Sequence, residues 1–385
     1  MFKGIDYYDI ESDLSPASRQ VRDMVREFVE REFMPHIREH YRAGTFPLDL
    51  VPKMGELGIL GAGLPGYGRE VDSIAYGLIM QELERGDSTL RSFASVQSAL
   101  VMHPILEFGS REQKERWLPL LESGKAIGCF GLTEPGHGSD PAGMTSTAVK
   151  SGDGYLLNGI KMWITNGAIS DLALVWAKLD NVIRGFLVER NTPGFSASEI
   201  SGKLSLRASA TASLVMRDVL VPEANLLPGS RGLKSPLLCL NQARYGIAWG
   251  ALGAAMACFE EVLEYSGKRQ VFGRPLAACQ LTQAKLADML TEITKGQLLA
   301  LQLAHLRENG RMRPEQVSLA KRNNTRMALE VARTARGMLG ANGITDWYQS
   351  MRHMCNLESV DTYEGTYEIH TLTLGRDLTG LDAIT

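Results

Sequence analysis

Apolar side chains recur at helical spacing through the first third of the chain, give way to short β-branched runs, and then return to helical spacing. Val21, Met24, Val25, Phe28 and Val29 make one apolar face behind Ser15-Pro16, which supplies an N-cap and a first-turn proline. Pro35 is expected to bend or end that run, because it brings no N–H to the helix. A second helix is expected around residues 48–57, a third over 73–85, and further helical pattern over 92–121.

From about residue 126 to 222, short β-branched and aromatic runs alternate with Gly, Asn, Asp and Pro. The clearest are 155–157, 162–165, 172–177, 185–188 and 213–221. Asn158-Gly159 between the first two predicts a hairpin turn. The spacing predicts a small antiparallel sandwich or barrel. Beyond Leu237 the helices are long: Leu286, Met289, Leu290 and Ile293 keep the helical period, and Pro314-Glu315 opens another run toward Gly340. Long amphipathic helices with short joints predict an antiparallel bundle. The expected organisation is α+β in three domains: helical over 1–125, antiparallel β over 126–236, and helical again over 237–385.

Composition narrows the function classes. A chain of 385 residues with 44% apolar and 22% charged positions is neither disordered nor fibrous. With 41 basic and 44 acidic residues the formal charge is −3, which argues against nucleic acid as a partner. The longest uncharged stretch in the most apolar region, 245–259, is closed by Arg244 and Glu260. It falls short of the roughly 20 apolar residues a bilayer span needs, so no membrane insertion is expected. The start of the chain carries early acids and no apolar run, so no secretory signal is expected. Cys129, Cys239, Cys258, Cys279 and Cys355 form no C-x-x-C pair and read as reduced thiols. A bacterial cytoplasm is the expected compartment, or a mitochondrial matrix if the chain is a processed eukaryotic one.

Two sharp-looking motifs are discounted. His36-Ile-Arg-Glu39-His40 matches H-x-x-E-H, but no third ligand cluster follows, and the better reading is a solvated helix end; no metal is expected. Gly61-Ala-Gly63-Leu-Pro-Gly66 matches G-x-G-x-x-G, but a helix precedes it where the dinucleotide fingerprint needs a strand. Neither a P-loop nor a G-x-S-x-G elbow is present.

Four segments carry the chemistry: Phe130-Gly-Leu-Thr-Glu-Pro-Gly-His-Gly-Ser-Asp140, Lys161-Met-Trp-Ile-Thr-Asn166, Arg269-Gln-Val-Phe-Gly-Arg-Pro-Leu-Ala-Ala-Cys-Gln280 and Thr362-Tyr-Glu-Gly-Thr366. Each alone is modest; a capped loop or an ordinary strand explains the first two. In this order, on a helix–β–helix background, they resemble the acyl-CoA dehydrogenase family over nearly the whole chain. Within it the glutaryl-CoA dehydrogenase branch is most similar, through Glu82-Leu-Glu84-Arg85, Arg91-Ser92, Ser95-Val-Gln-Ser98, Ser205-Leu-Arg-Ala-Ser209, Asn241-Gln-Ala-Arg-Tyr-Gly246 and Lys321-Arg-Asn-Asn324. His137, Gly86, Glu368 and a shorter loop over 68–73 depart from that pattern.

The resemblance implies a C-terminal four-helix bundle, a homotetramer, FAD at the domain junction and electron-transferring flavoprotein as partner. It makes Glu364 the base that removes the α-proton of an acyl thioester, with the Glu364 N–H and a flavin hydroxyl as donors to the thioester carbonyl. It implies a flavin pocket of Phe130, Leu132, Thr133, Gly138, Ser139, Trp163, Ile164, Thr165 and Thr366. Arg269, Phe272 and Gln280 would reach the FAD of a neighbouring subunit, and Gly337, Gly340 and Ala341 would form the reciprocal site. Substrate contacts are expected from Glu84, Arg91, Ser92, Ser139, Asn241, Arg244, Tyr363 and Gly365. Arg91 with Ser92 suits a second carboxylate, because a guanidinium is planar and permanently charged. The family's non-decarboxylating branch has apolar residues at the positions of Glu84 and Tyr363, so decarboxylation of glutaryl-CoA to crotonyl-CoA is expected here. Left open are another short-chain or dicarboxyl-CoA as substrate, oxidation without decarboxylation, a zinc peptidase, and a silent flavin-binding relative.

Overall fold

The computed structural model describes residues 5–383, so the first four residues of the chain start lie outside the described residues. Helix α1 (Pro16–Phe28) is capped by Ser15, whose hydroxyl accepts from the Ser18 N–H at 3.0 Å. The helix does not end at Pro35. It widens into a π-helical turn, Val29–Phe33, and continues as α2 (Met34–Ala43), the wider turn absorbing the missing N–H. After α3 (Val51–Glu56), Gly61, Gly63 and Gly66 turn the chain at φ 86°, 73° and 79° into α4 (Ser73–Gly86), with no strand before them among the described residues. Asp87 then starts α5 (Ser88–Ser95), and a second π turn, Val96–Met102, precedes Pro104 in α6 (His103–Phe108). A capping box at Ser110 and Gln113 opens α7 (Arg111–Glu122).

The middle of the chain is a seven-stranded sheet: β1 (Gly128–Gly131), β2 (Thr147–Ser151), β3 (Gly154–Thr165), β4 (Leu172–Leu179), β5 (Val182–Glu189), β6 (Phe195–Glu199) and β7 (Thr211–Pro222). Strand β4 pairs with β5 on one side and with both β1 and β2 on the other. Most pairings are antiparallel, as expected, but β4 runs parallel to β1 and β2. The sequence signal at Asn158-Gly159 is not a hairpin. Strand β3 runs straight through it, and the register against β7 slips between Leu157 and Gly159. Gly159 sits at φ 147°, and Asn158 exchanges hydrogen bonds with Asp218 at 2.9 and 3.0 Å. That is a β-bulge, which also favours Gly and Asn. Two-residue turns instead join β2 to β3 at Gly152-Asp153 and β4 to β5 at Asp180-Asn181, the latter at φ 49° and 63°.

The last third comprises α8 (Lys234–Lys268), a small arm of β8 (Gln270–Val271) and β9 (Arg274–Pro275), then α9 (Gln280–Glu308), α10 (Pro314–Met338), α11 (Ser350–Thr362) and α12 (Tyr367–Thr379). Helix α8 is long and apolar enough to cross a membrane, but 83% of its most apolar window is buried within the chain. It is apolar all round because α4 and α10 both pack on it. Asn324 of α10 ties the group together, donating to Ala248 O at 2.8 Å and Gly296 O at 3.3 Å.

Close approach of α4 and α8 depends on glycine. A Cβ at Gly253 would overlap the Gln81 carbonyl, and one at Gly77 the Trp249 indole. Gly253→Ala should cost about 1–3 kcal/mol in unfolding free energy. Gly267→Ala on the same helix, where an added Cβ meets nothing, should gain about 0.4–1 kcal/mol. Denaturant melts of the two variants check both signs.

Candidate active site

Helix α11 acts as a crossbeam. Asp87, which caps α5 through the Thr89 N–H at 2.8 Å, also accepts from Arg352 and from Asn356 Nδ2 at 2.9 Å. Asn356 Oδ1 accepts from the Leu206 N–H of the middle domain at 2.8 Å. The segment Ser205-Leu-Arg-Ala-Ser209 thus docks the middle domain on α11. Fixed on both sides, α11 delivers its C-terminus to a four-residue turn, Tyr363 to Thr366, before α12.

Glu364 in that turn has φ 54°, a left-handed conformation that a residue with a Cβ seldom adopts, and Gly365 follows at φ 101°. Three successive carbonyls are held from outside. Lys321 of α10 donates to Tyr363 O at 2.8 Å and Gly365 O at 2.6 Å, and Arg244 of α8 donates to Glu364 O at 2.6 Å. Arg244 is itself oriented by Asn241 Oδ1 at 3.2 Å. Thr366 caps α12, accepting from the Ile369 N–H at 3.2 Å. A Cβ at Gly365 would press on the buried His370 ring, so glycine is required there by both space and φ.

The Glu364 carboxyl has a buried Oε2 with no hydrogen-bond partner. Burial raises its pKa, and Arg91, Arg244 and Lys321 oppose that rise by their charges. His370 beneath it is pushed down to about 3, by burial first and then by Lys321 and Arg244, so its ring adds no charge.

Arg91 lies at the same place. Its Nε donates to Glu84 Oε2 at 2.6 Å, and its Nη2 donates to the Tyr363 hydroxyl. Ser88 Oγ donates to Glu84 Oε1 at 2.8 Å, and Ser92 Oγ lies 3.2 Å from Tyr363 Oη. Glu84 and Arg91 are both buried, on α4 and α5 either side of the Asp87 corner. The helix kink is what lets residues seven apart meet.

The strand side forms a cradle. Phe130, Leu132 and Ile164 are buried, Thr133 and Thr165 half-buried, and Trp163 is 57% exposed with its backbone left-handed at φ 63°. The loop after β1 is tied to β3 by the Met162 N–H to Thr133 O at 2.9 Å. Under it lies a buried ion pair: Lys161 Nζ meets Glu134 Oε1 at 2.8 Å and Leu132 O at 3.1 Å. Glu134 also accepts from the Thr145 N–H at 2.6 Å, the Thr145 hydroxyl at 2.7 Å and the Ser146 N–H at 2.9 Å. The π turn pins β1 to the helical domain, Gln97 Oε1 accepting from the Gly128 N–H at 2.8 Å.

Three family models cover the chain in order: the acyl-CoA dehydrogenase N-terminal domain over residues 15–125, the middle domain over 129–219 and the C-terminal domain over 230–379. The chain belongs to the acyl-CoA dehydrogenase family. A glutaryl-CoA dehydrogenase from Mycobacterium smegmatis is similar at 54% identity and TM-score 0.96, with 98% of each chain covered. A second structure, a glutaryl-CoA dehydrogenase from Mycobacterium smegmatis in complex with FADH2, is 49% identical at TM-score 0.98 over 100% of both chains. The short-chain specific acyl-CoA dehydrogenase of Rattus norvegicus mitochondria is 35% identical over 375 residues, 95% of this chain and 91% of that protein.

In this member of the family the expected residues fall into separate groups. Glu84, Arg91, Ser92, Asn241, Arg244, Tyr363, Glu364 and Gly365 meet around one carboxylate. Phe130, Leu132, Thr133, Trp163, Ile164 and Thr165 line the cradle, while Gly138 and Ser139 stand exposed on its loop. Arg269, Phe272 and Gln280 lie elsewhere, on the β8–β9 arm and the start of α9, and Phe272 is 100% exposed. Gly337, Gly340 and Ala341 close α10 at the surface, where a Cβ at either glycine meets nothing. His36, Glu39 and His40 gather no third ligand: His40 Nδ1 is 2.9 Å from Thr45 Oγ1, and no metal-holding group of His, Cys, Asp or Glu exists among the described residues.

Sequence reading missed several contributors. Lys321 stood only as part of a similar segment. Ser88 gave no signal, and neither did Gly250 of α8, where a Cβ would overlap Glu84 Oε2. The Glu134–Lys161 pair was hidden because 27 residues separate its members.

That pair makes stability pH-dependent. Burial tends to raise the Glu134 pKa, but Lys161, Ser146 and Thr145 outweigh it and hold it at about 2, below the ordinary 4.5. A lowered carboxylate stabilises the fold above the unfolded value and loses that contribution as pH falls through the folded one. Glu134→Gln should therefore be about 3–5 kcal/mol less stable than the native chain at neutral pH. The gap should close between about pH 4.5 and about 2, as read from denaturant midpoints.

Proposed function

We propose that the protein is an FAD-dependent dehydrogenase that oxidises glutaryl-CoA and decarboxylates it to crotonyl-CoA and CO2. The observation that carries the substrate choice is the buried Arg91–Glu84 pair joined to Tyr363, next door to Glu364. A simple acyl chain needs no such charge, whereas a dicarboxylic thioester presents a second carboxylate that a fixed guanidinium recognises. The likeness to two glutaryl-CoA dehydrogenases supports the same reading.

FAD fits the residues present. The exposed Trp163 indole and the apolar strip beside it offer a planar aromatic surface, and Thr133 and Thr165 offer hydroxyls at its edge. The bound flavin supplies the hydride acceptor. Glu364 takes the α-proton; poorly solvated, with Oε2 unpaired, it is a stronger base than an exposed carboxylate. Its own N–H donates to the thioester oxygen as enolate charge develops. Arg91 holds the far carboxylate, Glu84 and Tyr363 hold Arg91, and Ser88 holds Glu84.

Loss of the α-proton and the β-hydride leaves glutaconyl-CoA, whose carboxylate is vinylogous to the thioester. The bond to that carboxylate then breaks, CO2 leaves, and its electron pair enters a dienolate. Protonated Glu364 returns its proton to the γ-carbon, giving crotonyl-CoA. The two electrons removed pass on to electron-transferring flavoprotein. A homotetramer is part of the proposal, supported by the fully exposed Phe272 at the tip of the β8–β9 arm, a side chain suited to cover by another copy.

Anaerobic addition of glutaryl-CoA to the FAD-loaded protein tests this. The flavin should bleach, with crotonyl-CoA and CO2 as products; glutaconyl-CoA retained would overturn decarboxylation, and bleaching only by other acyl-CoAs would overturn the substrate. Glu364→Gln should slow bleaching by about 10²–10⁴-fold. Arg91→Lys keeps the charge but not both contacts, and should lower the glutaryl-CoA over butyryl-CoA ratio of kcat/KM about tenfold.

A further inference from the structure

Lys321 is a charged side chain with no exposed surface, on a helix whose other buried positions are mostly apolar or neutral. Nothing in the reaction as described needs it. Its ammonium makes two hydrogen bonds, both to the backbone of the turn that carries Glu364, one on each side of it. We propose, resting on the reading of Glu364 as the base, that Lys321 is a positioning residue that clamps the left-handed turn and whose charge, beside those of Arg91 and Arg244, helps keep Glu364 ionised.

The geometry explains why lysine stands there. The carbonyls of Tyr363 and Gly365 point to one side of the turn, because Glu364 is left-handed and Gly365 follows at positive φ. A single donor with three rotatable hydrogens can bond both, and a planar guanidinium cannot converge on them in the same way. Arg244 bonds the carbonyl between them. Releasing the turn would let Glu364 relax toward ordinary backbone and move its carboxyl.

The groups facing Lys321 come from five places. Glu364 lies on the turn, Asp361 on α11, Arg244 on α8, Arg91 on α5 and His370 on α12. Asp361 is already engaged, accepting from the Thr325 hydroxyl at 2.8 Å. His370 is neutral. The carboxylate that responds most to Lys321 is therefore Glu364. Burial presses the lysine down to about 7, the two acids oppose this, and the two arginines add to it. Glu364 and Lys321 titrate as a pair.

The test compares the native FAD-loaded enzyme with Lys321→Met and Lys321→Arg. Flavin bleaching by glutaryl-CoA or butyryl-CoA is followed anaerobically from about pH 5 to about 10, between the usual carboxylate and lysine values. In Lys321→Met the acid limb of the rate should move up by about one pH unit, because a buried carboxylate that loses a nearby cation protonates more readily. Lys321→Arg should return the limb toward the native position while leaving the rate low. A rate that falls by one factor at every pH with the limb unmoved would overturn the proposal, as would an arginine variant that behaves like methionine.

Thermal unfolding gives a readout that needs no substrate. A lysine whose folded pKa lies below the unfolded value binds fewer protons in the native state, so native stability rises with pH across that window. The native Tm minus that of Lys321→Met should therefore climb between about pH 7 and about 10. Parallel curves would overturn the proposal. If no acyl-CoA bleaches the native flavin, the function reading fails and the unfolding comparison alone decides the role of Lys321.

Discussion

Three consecutive carbonyls, those of Tyr363, Glu364 and Gly365, are each captured by a cation from a neighbouring helix, the buried Lys321 or the half-buried Arg244. Much of the site follows from that constraint. A left-handed glutamate costs about 1–3 kcal/mol and persists only where its surroundings over-determine it. Here two helices of the C-terminal bundle supply the donors, and α11 and α12 enter and leave the turn along fixed lines. The bundle is thus more than a scaffold: its packing sets the backbone angle of one residue.

The same side chains that hold the backbone also shape the field. Arg91, Arg244 and Lys321 surround one buried carboxylate, and Glu84 and Asp361 answer them nearby. Such a pocket keeps Glu364 ionisable despite burial and favours anionic groups entering it. Buried ion pairs of this kind contribute little to stability beyond what apolar side chains would, since desolvation offsets their attraction. What they provide is orientation: Glu84 fixes the Nε edge of Arg91, Ser88 fixes Glu84, and the missing Cβ of Gly250 leaves Glu84 its place.

Much of this was legible in the chain. Helical and strand periodicity gave the order of elements, and four short segments pointed to the family. Periodicity failed where one residue type serves two geometries. Asn-Gly favours a hairpin turn and a bulge alike, and only pairing with β7 decides between them. Proline at 35 reads as a bend or an end of the helix, and a π turn carries the helix past it. Lys321 was opaque for another reason: a lone lysine on an amphipathic helix reads as a solvated one, and its partners are backbone atoms more than 40 residues away, invisible to any side-chain pattern.

The central claim, that Glu364 removes a proton from the carbon next to the thioester, can be measured without oxidation. An acyl-CoA analogue that cannot lose a β-hydride is incubated with the native protein in D2O, and α-hydrogen exchange is followed by NMR. Exchange by the native protein, with Glu364→Gln at the background rate, is the result this account predicts. Equal exchange by the two proteins would contradict it.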